Sequence, residues 1–574
     1  MNGLENLVYS ILDNKKKKTL IVILTAVAFF ASLLMFPSKL VLAKMLPGKS
    51  DNTFSVYIDT PTGSSIEQTN AVSQCTIDLL KEEKEVMNIS LYLGQGIPLD
   101  YAGLVKGAGM KRTENVSEIS VNLTDKHSRT EPSFLMVQRL RPIIKDKCLP
   151  IVKDTNIKFI EQPAGPPTLA SIVMEVHGDN LKEIRSISTK VANILANTDG
   201  LVDVDIMADE IFDKYELVPN KEKIARSALS VAQVNNILYL AFEGMVIAHK
   251  NSVNAPDQIP MFLVLDKESK SLINEKENVL RTKLSSLNLM NQKGMMVPLS
   301  EVVNIRKVKS NPMIMHKDLS RMANIVAETN MVSQVYPLLE ARDVMLEEFS
   351  KNYEVEKAGF TTYMFDLYLT NKKTGEKFLL RWDGEMKVTL DTFRDLGGAF
   401  ISALVLIFLL LVIYYKSFAI SGIILLGSFL SLIGVIVGHW VANLFTSETF
   451  FLTATSLIGF IALMGISSRN SLLLIDFAKS LMTCEGMKKR RAIAVATATR
   501  AKPIALTAVA IILGSALLAS DPVFGGLGVA LISGTVAAVF VSLLFVPVLM
   551  DNAKAMDFDK IESELDHKNI SITK

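Results

Sequence analysis

The chain of 574 residues is poor in the residue types that build most metal centres and disulfide frameworks: it has three cysteines and six histidines. Three cysteines are far too few for a small fold held together by disulfides. The histidines are too dispersed along the chain to predict a zinc site. They are His127, His177, His249, His316, His439 and His567. The charge is nearly balanced, with 61 basic and 59 acidic residues, so the composition gives no reason to expect nucleic acid as a partner.

The sequence also lacks the signatures of common enzymes. Neither GxSxG nor HExxH occurs. The tripeptide GKS at 48–50 resembles the end of a phosphate-binding loop, but that loop needs a glycine where this chain has Ala43. The glycines at 525, 526, 528 and 534 lie in an apolar stretch, where they favour close packing of helices over nucleotide binding. We therefore expect a protein that is not an enzyme, with no bound metal or organic cofactor.

Long apolar runs are confined to the two ends of the chain. The protein is 49% hydrophobic and 21% charged, with a mean hydropathy of +0.30, too apolar for a soluble protein and too charged to lie wholly in a membrane. The first run, 19–36, has 18 uncharged residues, about the minimum that spans a bilayer. Five more follow at 398–414, 418–438, 450–475, 503–519 and 525–549. We predict six transmembrane helices, the first within 19–44 and five within 396–550.

The basic residues beside these runs predict the orientation of the chain. Lys15–Lys18 precede the first run, which could also be a signal peptide, but its apolar core is too long and no small-residue cleavage site follows. The loop between the fourth and fifth spans is strongly basic, with the single acid Glu485. Its basic residues are Lys479, Lys488, Lys489, Arg490, Arg491, Arg500 and Lys502. The positive-inside rule then places 1–18 and the tail 551–574 in the cytoplasm and the block of about 350 residues outside.

The external block alternates strand and helix patterns. FSVYIDT (54–60) alternates with period two, and apolar residues at helical spacing follow it. The order strand, helix, strand occurs twice in 45–165 and again in 166–214 with 311–395, as in ferredoxin-like sheets. Residues 215–310 read as an insertion. The block contains Cys75 and Cys148, for which a disulfide and two free thiols both remain open, whereas Cys484 lies in the cytoplasmic loop.

A charged residue lies inside the fourth predicted span. Arg469 sits deep in FFLTATSLIGFIALMGISSRNSLLLIDFAK, where insertion costs a few kcal/mol, so a functional or paired role is favoured over snorkelling to the surface. Asn470 is adjacent, and Thr507 lies about one turn inside the fifth span, where a simple helix-bonding hydroxyl is the alternative. The only acid in the six spans is Asp476, two turns further along the same helix. The counter-charge of Arg469 is therefore missing from this chain.

Several segments resemble the C-terminal half of resistance-nodulation-division (RND) efflux permeases. They are EQPAGPP (161–167), RWDGEMKVTLDTFRDLG (381–397), the fourth span around Arg469, and TRAKPIALTAVA (499–510). The resemblance implies an α+β membrane protein of the bacterial inner membrane, with two periplasmic porter subdomains, a docking subdomain at 215–310 and a trimeric assembly. It implies a periplasmic adaptor and an outer-membrane channel as partners, and the proton motive force as the energy source. It also implies that Arg469, assisted by Thr507 and Arg500, forms a proton relay with two aspartates of the N-terminal half. We expect Asn470 to take part in this relay by orienting side chains or water.

This chain departs from the family pattern because it begins just before what would be the seventh span. It has no aspartate pair, so we expect half of a split pump that needs an N-terminal-half subunit. The family's drug pocket corresponds to GQGIPLDYAGLVKGAGM, which makes Tyr101, Leu104 and Met110 candidates, with Met174 on the next subdomain. Export of organic compounds is the expected function. The 25 methionines leave heavy-metal export open, and a protein-translocation accessory subunit, a scaffold without transport or an inactive remnant of a broken pump are further alternatives.

Overall fold

The computed structural model describes residues 2–48, 50–98, 101–106, 111–162, 165, 168–208, 210–255, 257–265, 277–330, 333–358, 365–446 and 449–556. Contacts divide the chain into two compact units. One comprises residues 1–208 with 314–574, and the other, the inserted unit, comprises residues 209–313. The sequence placed this insertion at 215–310.

The chain starts with two helices. Helix α1 (Asn2–Asp13) is amphipathic and buries Val8 and Leu12 in the apolar cluster of the helix bundle described below. Helix α2 (Lys15–Leu34) is apolar, and the side chain of Asn14 caps it by accepting from the backbone N–H groups of Lys16 and Lys17. The predicted cytoplasmic segment 1–18 is therefore largely helical.

The first α/β subdomain spans residues 53–161. Its elements are β1 (Thr53–Asp59), α3 (Ile66–Lys81), β2 (Val86–Leu93), α4 (Tyr101–Lys106), β3 (Val116–Leu123), α5 (Ser133–Cys148) and β4 (Asn156–Glu161). The antiparallel sheet has the strand order β2-β3-β1-β4, the order of a split βαβ arrangement. Apolar residues of β1, β3 and β4 pack with α3 and α5 in one core. A disulfide between Cys75 and Cys148 joins the two helices.

The second α/β subdomain is interrupted by the inserted unit. Its first part comprises β5 (Ile172–Gly178), α6 (Leu181–Ala196) and β6 (Leu201–Met207). The inserted unit contains β7 (Asp213–Pro219), α7 (Lys221–Arg226), α8 (Val231–Phe242), β8 (Met245–Lys250), β9 (Ile259–Leu263), α9 (Glu277–Ser286), β10 (Asn288–Met290), β11 (Met296–Pro298), α10 (Leu299–Val302) and β12 (Val303–Lys309). Strands β7 and β12 pair with each other, so the whole of β7 belongs to the insertion.

The chain then completes the sheet of the second subdomain. The elements are β13 (Met315–Lys317), β14 (Ser320–Thr329), α11 (Val335–Ser350), β15 (Tyr353–Lys357), β16 (Leu367–Asn371) and β17 (Lys377–Asp383). The strand order is β13-β14-β5-β17-β16-β15, and β6 also pairs with β14. Apolar side chains of β5, β14 and β17 pack against α6 and α11. Strands β5, β6 and β14 lie within 166–214 and 311–395, where the sequence predicts alternating strands and helices.

Apolar helices make up the rest of the described chain. They are α12 (Glu385–Tyr415), α13 (Phe418–Phe429), α14 (Leu432–Phe445), α15 (Ala454–Thr483), α16 (Lys489–Ala519), α17 (Gly525–Phe540) and α18 (Val546–Asn552). With α13 and α14 taken together, and α17 with α18, six helical stretches of the described chain are long and apolar enough to cross a membrane. A π-helical segment, Val541–Phe545, separates α17 from α18. Pro547 explains it, because proline offers no N–H to the carbonyl four residues earlier.

Candidate functional site

The start of helix α15 is fixed by a polar cap. Thr453 accepts from the backbone N–H of Ser456, and the Ser456 hydroxyl accepts from that of Thr453, which forms a capping box. Helix α17 passes close to this cap: a Cβ on Gly526 would lie 2.4 Å from both hydroxyl oxygens. The glycine allows this approach, and it sets the position of α15 beside α17.

Arg469 lies near the middle of α15, about 22 Å from either end at 1.5 Å per residue. Its side chain is exposed on the outer face of this chain's bundle. The exposed face also carries Ile458, Ala462 and Gly465, which are spaced as neighbours on one side of a helix. The opposite face of α15 is buried against the other apolar helices. The arginine therefore projects away from the helices of its own chain.

Arg469 forms no ion pair with any residue in the described ranges. Asp476 has a different partner, because it accepts a hydrogen bond from the Tyr415 hydroxyl at 2.7 Å. This contact joins the end of α12 to α15. The sequence inference that Asp476 is not the counter-charge of Arg469 agrees with this arrangement.

The other predicted relay residues lie near Arg469 in sequence or on the next helix, but the described contacts do not join them. Thr507 is exposed on α16, and its hydroxyl donates to the carbonyls of Pro503 at 2.7 Å and Ile504 at 3.0 Å. Arg500 is half-buried with its guanidinium 4.9 Å from the centre of the Phe477 ring. Asn470 is half-buried beside Arg469.

His439 is a buried polar group that is not among the site residues predicted from the sequence. It is fully buried in α14, with Nδ1 2.7 Å from the carbonyl oxygen of Val435 and Nε2 2.8 Å from Ser456 Oγ. A carbonyl can only accept, so Nδ1 carries a proton and donates it to Val435. The imidazole thereby ties α14 to the cap of α15. A lone histidine inside the apolar run 432–445 was the available signal.

The structure describes the helix or strand of three of the four candidates for a substrate pathway. Tyr101 begins the short helix α4, and Leu104 on the same helix is 57% exposed. Met110 lies outside the described residues. Met174 is fully buried in β5, on the face of the sheet that packs against α6 and α11. It therefore occupies a core position, on the face of the sheet covered by helices.

Ion pairs join the two α/β subdomains along one seam. The first subdomain supplies the cations and the second the anions in each of these pairs. They are Lys106–Glu328 at 2.9 Å, Arg141–Asp203 at 3.2 Å, Lys145–Asp203 at 2.6 Å and Lys158–Asp205 at 2.6 Å. A cavity of about 480 Å³ lies on this seam, lined by Arg141, Lys145 and Asp203 among others.

Burial and charge perturb the carboxyl groups near the seam. Burial raises the pKa of Glu161 to about 7, with Arg141 opposing the rise and Glu328 adding to it. Burial alone would also raise the pKa of Asp59, but the attraction of Lys158 and Lys111 outweighs it and the pKa falls below its ordinary value. Glu161 near the seam thus titrates near neutral pH, whereas Asp59 stays ionised there.

Clusters of three or more histidine, cysteine, aspartate or glutamate side chains placed to hold a metal ion do not occur in the described part of the chain. The polar groups assembled here are a cation within an apolar helix, its neighbouring hydroxyls, and an ion-paired seam between two α/β subdomains.

Comparisons with known proteins identify relatives over most of the chain. A family model described as the AcrB/AcrD/AcrF family matches residues 2–551. The swarming motility protein SwrC of Bacillus subtilis is 22% identical over 550 residues, 92% of this chain and 45% of that protein. The multidrug export protein AcrF of Escherichia coli is 32% identical over 149 residues, 25% of this chain and 14% of AcrF.

Metal-resistance proteins are also among the relatives. The cobalt-zinc-cadmium resistance protein CzcA of Cupriavidus metallidurans is 21% identical over 409 residues, 70% of this chain and 35% of CzcA. The crystal structure of a heavy metal efflux pump superposes with a TM-score of 0.69 at 17% identity, covering 95% of this chain and 51% of the pump. That likeness establishes a shared fold. The chain spans about half the length of SwrC and of the pump.

Proposed function

Because the chain belongs to the AcrB/AcrD/AcrF family of RND efflux permeases, we propose that it acts as the C-terminal half of a proton-driven transporter that exports organic compounds. The other half would be a separate polypeptide that carries the proton-binding carboxylates. The complete transporter would lie in the inner membrane, with the two α/β subdomains and the inserted unit in the periplasm. This orientation follows from the basic residues at both cytoplasmic ends.

One observation carries the proposal: Arg469 is exposed in the middle of an apolar helix and forms no ion pair within the described ranges. An arginine facing lipid at the bilayer centre costs roughly 2.5–3.5 kcal/mol on insertion scales. The cost falls when the guanidinium faces a carboxylate on another helix. A partner subunit with such a carboxylate would explain both the position and the exposure of Arg469.

The surface around Arg469 fits a neighbouring helix. Ala462 and Gly465 precede it on the same exposed face of α15, and a Cβ on Gly465 would meet no atom within 4 Å. Small residues let helix backbones approach closely in membranes. A partner helix lying on this face would reach the guanidinium without displacing any side chain of this chain.

In this proposal, proton binding changes the charge opposite Arg469. The guanidinium stays protonated at all accessible pH values, so only the partner's carboxylates titrate. Their protonation removes the attraction to Arg469 and releases α15 to shift. Asn470 and Thr507 would orient the carboxylates or water, and Arg500 at the cytoplasmic end would assist. Movement of α15 and α12 would then open and close the periplasmic subdomains.

The periplasmic partners follow from the same proposal. The inserted unit would meet an adaptor protein and an outer-membrane channel, and three copies of the two-chain unit would assemble around a central axis. Trimers of this kind would expose the seam between the α/β subdomains to substrate.

Metal export is a second candidate function. It is favoured by the similarity to CzcA, whose name describes cobalt, zinc and cadmium resistance. Organic export is favoured by the higher local identity to AcrF, whose name describes multidrug export. The transport experiment below distinguishes metal export from organic export by comparing an organic dye with metal ions as substrates.

The experiment is transport in proteoliposomes that contain this chain and its co-purified partner half. An inward proton flux that appears only on addition of an organic dye supports organic export, and one that appears only with Zn²⁺ or Co²⁺ supports metal export. Arg469→Ala is expected to abolish the coupled proton flux, and Arg469→Lys, which retains the charge, to preserve part of it.

Lys488→Ala serves as the matched control, because Lys488 is an exposed cation between α15 and α16, beyond the end of the Arg469 helix. It is expected to transport like the wild type. Unchanged proton-coupled efflux in Arg469→Ala would refute the role of Arg469. Purification of the chain without any second membrane subunit, together with full transport by the chain alone, would refute the two-chain pump.

A further inference from the structure

Helix α15 carries polar groups on the face opposite Arg469. Ser467 and Ser471 lie on this buried face, and both side chains are 0% exposed. Ser542, in the π-helical segment after α17, is also 0% exposed. The hydroxyl oxygens of these three serines have no hydrogen-bond partner in the part of the chain that the structure describes.

Helices α15 and α17 run side by side in the same direction, and their register places the three serines on neighbouring turns. A Cβ on Gly459 would touch Ala530, and one on Gly534 would touch Leu463, so these residues face each other. Continuing the Leu463–Gly534 pairing by two turns brings Ser471 level with Ser542. Helix α13 borders the same place, because a Cβ on Gly427 would lie 3.5 Å from Ser471 Oγ.

Hydroxyl groups inside a helix normally donate to the carbonyl four residues earlier. Two neighbouring serines do so: Ser428 donates to Ile424 at 3.0 Å, and Ser468 donates to Met464 at 2.7 Å. Ser467, Ser471 and Ser542 lack this contact. A buried polar group without a partner costs about 1–3 kcal/mol, and lipid offers no hydrogen bond in compensation.

The backbone is irregular at the same level. The π-helical segment Val541–Phe545 includes Ser542, and Pro547 follows one turn later. Segments of this kind occur mostly as single turns inside helices, often at functional positions. Here the irregular turn brings an additional hydroxyl to the face where α15 already supplies two.

We infer that Ser467, Ser471 and Ser542 bind water inside the helix bundle. A buried water molecule needs two to four polar partners, and these three hydroxyls, which have no partner in the described part of the chain, can supply them. The same two turns of α15 thus carry Arg469 on one face and a hydrated contact on the other. Hydrogen bonds to water can be exchanged as a helix moves, so this face lets α15 shift against α17 without losing fixed contacts.

The water site does not depend on proton coupling and is tested on the full chain alone. In a Cys484→Ser background, Ser467→Cys, Ser471→Cys and Ser542→Cys are exposed to 2-aminoethyl methanethiosulfonate, and modification is followed by mass spectrometry. The reagent attacks thiolates, which form where water reaches the sulfur. Ile475→Cys is the matched control: Ile475 is fully buried in an apolar cluster one turn beyond Ser471. The serine positions are expected to react at least tenfold faster.

The melting temperature of an alanine variant in the wild-type background, with Cys484 retained, is a second test. If water occupies the site, Ser471→Ala removes a hydrogen bond and lowers the melting temperature. If the site is dry, the same change removes an unsatisfied hydroxyl and raises it. Reaction of Ser471→Cys at the rate of Ile475→Cys would overturn the inference, and so would a higher melting temperature of Ser471→Ala.

Discussion

Asp203 in β6 accepts a hydrogen bond from Arg141 Nε in α5 at 3.2 Å, and this contact joins the two α/β subdomains. The same carboxylate accepts from Lys145 Nζ at 2.6 Å and from the backbone N–H of Phe159 at 3.0 Å. Asp203 has a φ of 54°, a left-handed conformation that aspartate and asparagine tolerate better than other residues with a side chain. Three donors from the first subdomain therefore converge on one carboxylate of the second.

Asp203→Asn is expected to destabilise the chain strongly. Asparagine suits the backbone conformation, so the change tests the charge alone. Arg141 is 8% exposed, and removing one partner of a buried ion pair costs about 3–5 kcal/mol. Denaturant unfolding of the full chain measures the loss.

The control for this prediction is Glu83→Gln, which breaks the more exposed pair between Glu83 and Arg139 within the first subdomain. Surface pairs contribute about 0–1 kcal/mol, so this variant should unfold almost like the wild type. Equal effects of Asp203→Asn and Glu83→Gln would show that the seam contributes no more than an ordinary surface pair.

Glu161 is expected to make stability depend on pH. Its folded-state pKa is raised from an ordinary 4.5 to about 7. Between these values the folded protein holds a proton that the unfolded chain has released, so stability falls as the pH rises through this window. Glu161→Gln should flatten this part of the profile, which melting temperatures across the window measure. The exposed Glu347→Gln should keep the wild-type profile, and a Glu161→Gln profile as steep as the wild type would contradict the assignment.

Gly465→Leu is expected to disturb assembly and leave the chain itself intact. A Cβ at Gly465 meets nothing within 4 Å, whereas one at Gly434 would lie 2.4 Å from the carbonyl oxygen of Ser533. Gly434→Ala should therefore destabilise the chain by roughly 1–3 kcal/mol through overpacking, and Gly465→Leu should not. Melting temperature and co-purification with the partner half separate the two effects. Normal recovery of the partner with Gly465→Leu would argue against a helix on this face.

His439→Phe is expected to loosen the contact between α14 and α15. The ring is retained, but the hydrogen bonds to Val435 and Ser456 are lost. Loss of a hydrogen bond to a buried group costs about 1–3 kcal/mol, so the melting temperature should fall. His439→Gln keeps a donor and an acceptor and should lose less; equal losses for the two variants would show that ring packing, and not hydrogen bonding, is what matters here.

Local patterns made much of the fold predictable from the sequence. Apolar runs of sufficient length predicted the long helices, and period-two alternation predicted strand β1, because each pattern is complete within a short segment. The missing counter-charge of Arg469 was also predictable, since it required only a search for acids within the apolar runs.

Contacts between distant segments were not predictable in the same way. Cys75 and Cys148 could be paired or free until the crossing of α3 and α5 was known. The partners of Asp203 lie about 60 residues away in sequence, and nothing in the local sequence selects them. The placement of Met174 illustrates the same limit: the strand was predictable, but which of its faces is covered by helices was not.

The first and last helices of the described chain contact each other through ion pairs. Lys18 Nζ lies 2.6 Å from Asp551 Oδ2, and both side chains are largely buried. Arg490 forms ion pairs with Asp551 of α18 and with Asp13 of α1. One arginine therefore links the first and last of these helices. The paired residues Lys18 and Asp551 are 533 positions apart in sequence, and Asp13 and Arg490 are 477 positions apart. Helices α1 and α2 therefore gain these contacts only after nearly the whole chain has been synthesised.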